Sequence, residues 1–98
     1  MYTLVERWKG PSDMQETSRR AQTEWFPKLQ AAPGFVGFHL VADEANGITT
    51  AIIVWENKAQ AEAFAPVAEG WQQVLMQLGN TLQSDNRGET VIEIKPKK

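Results

Sequence analysis

Few side chains in this sequence could do chemistry. His39 is the one histidine in 98 residues and there is no cysteine. The chain therefore cannot build a multi-histidine or thiolate metal site, a disulfide or a cysteine nucleophile, and no metal is expected. His39 has two readings: a pocket acid, base or hydrogen-bond donor, or a satisfied structural imidazole. Arg7 shares its strand face with Thr3 and Val5. As a pocket cation it would hold an anionic substrate or a developing enolate; otherwise it is an interstrand ion pair. Four tryptophans, at 8, 25, 55 and 71, are many for this length. They wall a cavity for a flat molecule or fill an aromatic core. No glycine-rich phosphate loop, G-x-S-x-G elbow or H-E-x-x-H helix occurs, and no paired carboxylates stand out.

Composition narrows the partners. Ten Lys and Arg stand against twelve Asp and Glu, a net charge of -2, so the counterion-release term that drives phosphate binding is missing and no nucleic acid is expected. Hydrophobic residues make up 42% and charged residues 22%, the balance of a folded globular chain rather than a disordered one. No apolar run approaches the ~18 residues of a membrane span, so no membrane partner is expected. The first residues lack a basic-then-apolar export signal, which points to the cytoplasm. The length fits a single domain over 1–98.

The elements that must position these side chains follow from periodicity. Residues 2–9 alternate, and Gly10 and Pro11 end the strand. Ser12 and Gln15 have capping-box spacing, and Met14, Ala21, Trp25, Leu29 and Ala32 form one stripe of a helix over about 13–32, with a kink or break expected at Pro27. Two β-rich segments, 35–41 and 48–55, flank a turn containing Asn46 and Gly47 and should form a hairpin. Asn57 can cap a helix from Lys58 to Phe64, Pro66 should interrupt it, and Val67, Trp71, Val74, Leu75 and Leu78 form a further apolar face. Residues 80–88 read as a polar loop, and alternation over 89–95 reads as the last strand.

Strand, helix, strand, strand, helix, strand with right-handed crossovers gives a ferredoxin-like β-α-β-β-α-β α+β sandwich with a four-stranded antiparallel sheet. Helices cover one face only, yet Ile48, Ile52 and Val54 alternate with Ala51, Ile53 and Trp55. A second apolar face in so short a chain is most simply covered by a second copy, so a homodimer is expected, with Leu4 and Trp8 at the interface. Strand parity places Ala51, Ile53 and Trp55 on the pocket face, with Trp25 and Trp71 arriving from the helices. His39 falls opposite Ala51 on that face if the hairpin offset is even, and in the interface if it is odd.

The run from Pro33 through Gly34, Phe35 and Gly37 to Leu40, followed by Ile53, Val54, Trp55, Glu56 and Lys58, resembles the antibiotic biosynthesis monooxygenase family of dimeric α+β barrels. The likeness extends from Tyr2 to about Ile94. It implies two chains packed sheet to sheet, each with a pocket between sheet and helices. It implies less about chemistry, because one fold hosts many activities. Trp55 matches the Trp of the family's quinone-forming oxygenases, but Ala51 and Ala61 stand where they carry Asn and Tyr. Against the haem-degrading relatives, Arg7, Phe64 and Gln72 or Gln73 stand at the functional positions, so haem degradation is disfavoured and no cofactor is expected.

Two functions remain open at this stage. One is a cofactor-independent monooxygenase with Trp25, Trp55, Trp71, Ala51 and Ile53 around a small aromatic ligand, and His39 and Arg7 as its polar groups. The other is a non-catalytic ligand-binding or structural dimer of the same fold.

Overall fold

In the computed structural model the described residues are 1–10, 14–92, 94, 96 and 97. Strand β1 (Tyr2–Lys9) leads to helix α1 (Met14–Arg20), which continues through a widened π turn (Ala21–Trp25) into α2 (Phe26–Ala31). Strands β2 (Phe35–Asp43) and β3 (Ile48–Trp55), helix α3 (Lys58–Gln77) and strand β4 (Thr81–Glu89) complete the order. The sheet runs β2-β3-β1-β4, antiparallel throughout, which is the ferredoxin-like α+β arrangement. Ser12 of the expected capping box lies outside the described residues.

The two prolines act differently from a simple break. Pro27 has no N–H to offer the carbonyl of Thr23, and the turn before it widens to π geometry without ending the helix. Pro66, expected to interrupt, lies inside one continuous helix of 20 residues. The carbonyl it leaves without a donor belongs to Glu62, at an exposed position open to solvent. Asn57 caps α3 as expected, its Oδ1 accepting from Gln60 N–H at 2.9 Å. In the hairpin turn Gly47 takes φ 65°, left-handed backbone that favours glycine, and Asn46 Nδ2 donates to Asp43 Oδ2 at 2.8 Å.

The last strand is displaced from its expected place. β4 occupies Thr81–Glu89, the stretch read as a loop, and pairs with β1. It is an edge strand whose residues are mostly exposed, so no burial imposes apolar alternation, and its charges suit an edge. Beyond Glu89 the segment read as a strand is not one in its described residues: Val91, Ile92 and Ile94 are 93%, 80% and 88% exposed. Glu93 and Lys95 lie outside the described residues.

The parity of β1 is also the reverse of the expectation. Tyr2, Leu4, Glu6 and Trp8 are buried under the helices, while Thr3, Val5 and Arg7 face outward. Leu4 and Trp8 are therefore core and cavity wall, not interface. The core joins Leu4, Ile53 and Trp55 of the sheet to Trp25, Leu29 and Phe64 of the helices.

Candidate functional site

Register decides what reaches the space between sheet and helices. Glu6 is opposite Ala51 on β3 and Asp85 on β4, and Leu40 of β2 is Ala51's other neighbour. All share the helix-facing side. Here β1 carries a carboxylate, β3 only a methyl group, and the missing volume over Ala51 leaves a cavity of about 50 Å³. Glu6, Trp8, Thr17, Trp25, Phe38 and Trp71 are among its walls. A second space of about 220 Å³ between α3 and β4 includes Trp55, Phe64, Gln72 and Arg87 in its wall. The two have Glu6, Trp25 and Ile53 in common.

The expected wall residues divide between these spaces. Trp25 and Ile53 line both, Trp71 and Ala51 the smaller, and Trp55 the larger. Trp25 and Trp71 stack with centroids 5.8 Å apart and planes 10° apart. Trp55 is 2% exposed and meets Phe64 at 5.1 Å and the edge of Phe35 at 5.8 Å. Part of the tryptophan content is thus core and part is cavity wall.

The two expected polar residues point away. The hairpin offset is odd: His39 pairs with Ile52 and is exposed on the outer sheet face, as is Arg7, whose partner is Thr50. Neither lines either space. Strand alternation is the reason, since each is one residue away from an inward position.

The residue missed in the sequence is Glu6. It is 6% exposed and accepts a hydrogen bond from Trp8 Nε1 at 3.2 Å. Loss of water around the carboxylate raises its pKa above the usual 4.5, and nearby Asp85 adds to this; the Trp8 and Gln72 donors and Arg87 oppose it. Its signal was available in the alternation of Tyr2, Leu4, Glu6 and Trp8: a carboxylate in phase with three large apolar residues must be buried with them. Two donors nearby lack partners among the described residues, Trp25 Nε1 and Thr17 Oγ1. An unmet buried donor is uncommon and asks for a partner.

The walls of the two spaces do not fit haem. Among the described residues they carry no imidazole, thiolate or thioether that could serve as an axial ligand. Among the described residues there is also no cluster of three His, Cys, Asp or Glu suited to a metal, and no helix is long and apolar enough to cross a membrane.

No family model and no curated protein matches the sequence. Solved structures match the fold. A proposed antibiotic biosynthesis monooxygenase from Deinococcus radiodurans is 15% identical over the whole of both chains, with a TM-score of 0.77. The ActVA-Orf6 monooxygenase of Streptomyces coelicolor, in complex with nanaomycin D, is 12% identical over 98% of this chain and 92% of that one, with a TM-score of 0.77. A dimeric ferredoxin-like protein from an uncultured marine organism is 12% identical over 98% and 100%, with a TM-score of 0.76. At these identities the likeness is one of architecture, and it agrees with the strand order and helix placement above. The chain has the ferredoxin-like α+β fold of the antibiotic biosynthesis monooxygenase-like proteins.

Proposed function

We propose that this protein binds a small hydrophobic or aromatic molecule between sheet and helices, and that it does so as a homodimer. The observation that carries the binding reading is the pair of adjoining spaces that meet at Glu6, Trp25 and Ile53. An aromatic ring fills a cavity of about 150 Å³. The space against Trp55 and Phe64 has that capacity at about 220 Å³, whereas the 50 Å³ cavity receives a ring only if Trp71, half-exposed on α3, swings off Trp25. The dimer reading rests on the outer sheet face, where Val5, Ile52 and Val54 are only half-buried by their own chain.

Cofactor-independent oxygenation is the chemistry within this reading. It is favoured by the fold shared with a monooxygenase crystallised in complex with nanaomycin D, and an electron-rich aromatic ligand, once deprotonated, would itself supply electrons to dioxygen. The non-catalytic alternative is favoured by Ala51 and Ala61, whose methyl groups cannot hydrogen-bond a substrate. Calorimetric titration with 1-methoxynaphthalene tests the binding reading. Saturable binding of one molecule per chain is the expected result, and its absence up to the solubility limit overturns the reading. Oxygen uptake with a dihydroxyanthracene then separates catalyst from binder.

A further inference from the structure

We propose that Glu6 is the proton acceptor of this site and that the ligand it serves is an aromatic molecule bearing a hydroxyl group. The inference rests on the ligand-binding reading and specifies its substrate class.

Among the described residues Glu6 is the only charged one in the wall of the smaller cavity. β3 contributes Thr49, Ala51 and Ile53 beside it, and α1, the π turn and α2 contribute Thr17, Trp25 and Phe26, none of them charged. The larger space adds Glu69 from α3 and Asp85 and Arg87 from β4. The Arg87 guanidinium is held by Asp85 in two hydrogen bonds. Three carboxylates against one occupied guanidinium repel an anionic ligand and favour one that brings a proton. A carboxylate has roughly four acceptor sites, and the Trp8 N–H uses one, leaving room for a ligand O–H.

The transfer balances without a co-reactant. The ligand O–H bond breaks, an O–H bond forms on the Glu6 carboxylate, and the electron pair stays on the ligand oxygen. One negative charge passes from Glu6 to the ligand, and the total charge of the site is unchanged. Burial that disfavours the ionised carboxylate makes Glu6 the stronger base for this step. The partnerless Trp25 Nε1–H and Thr17 hydroxyl lie in residues of the same wall, where the new oxyanion would give them an acceptor.

The test compares 1-naphthol with 1-methoxynaphthalene, the same ring without the proton, by calorimetry between about pH 4 and pH 8. The intact chain should prefer 1-naphthol by about tenfold or more at the upper end, the size expected of a hydrogen bond to a charged acceptor. That preference should fade as pH drops and Glu6 takes up its proton. Glu6→Gln, neutral at every pH, should show a small preference that does not vary. Trp8→Phe removes a donor that favours the charged form, so the midpoint of the preference should move to higher pH. A preference independent of pH in the intact chain, or one kept by Glu6→Gln, overturns the role of Glu6 while leaving ligand binding intact. Failure of both naphthalenes to bind overturns the binding reading and this inference with it.

Discussion

Replacing Trp55 and Trp71 separately by alanine should distinguish a fully buried indole from one half-exposed on α3. Trp55 is 2% exposed and packs its indole against Phe35 and Phe64. Trp55→Ala should cost about 3 to 5 kcal/mol, the range for a large buried aromatic. Trp71 is half-exposed and its one ring contact is the stack on Trp25. Losing a stacked pair and part of its burial should cost about 1 to 2 kcal/mol. For a domain of this size each kcal/mol lowers the melting temperature by about 4 to 8 °C, so the first change should cost about 12 to 40 °C and the second about 4 to 16 °C. Urea titrations at one fixed protein concentration would measure both, with fixed concentration removing any effect of association. Equal losses for the two variants would refute this ranking of the two indoles by burial.

Stability should also report Glu6. Because burial raises its folded pKa above 4.5, the folded chain keeps a proton that the unfolded chain has released, so stability falls as pH rises from about that value through the raised one. Glu6→Gln removes this slope, and urea midpoints at about pH 4 and pH 8 should move in favour of the variant as pH rises. Ile52→Asp on the outer sheet face should leave the secondary structure intact and yield an 11.0 kDa monomer in light scattering, where the unmodified chain gives twice that mass; a variant that stays dimeric would place the interface elsewhere. Pro66→Ala should raise stability by up to about 3 kcal/mol, since it restores an α3 hydrogen bond without touching the core, and an unchanged urea midpoint would show that solvent already satisfies Glu62.

What could be read from the sequence is what burial writes into it. The strands β1 and β3 and the hairpin were legible because buried residues alternate there, and Asn57 and the Asn46-Gly47 turn announced their caps. β4 was not legible: an edge strand with one neighbour and little cover has no apolar face to display, and the apolar residues Val91, Ile92 and Ile94 drew the assignment downstream although no part of the chain buries them. The aromatic walls were legible from helical spacing. The polar groups were not, because one residue of register exchanges the faces of a strand. Arg7 was read inward where the structure turns it outward, the face of His39 was left to the hairpin offset, and Glu6, the carboxylate between Leu4 and Trp8, was passed over although it shared their phase.

The central claim is that a small aromatic molecule sits between the sheet and the helices against Glu6, Trp25 and Ile53. A crystal structure of the protein grown with 1-naphthol tests it most directly. The expected result is planar density within that space, its oxygen within hydrogen-bond distance of a Glu6 carboxylate oxygen. Density for the ligand only on the outer sheet face, or indoles and Glu6 unmoved with the space empty at saturating ligand, would contradict it.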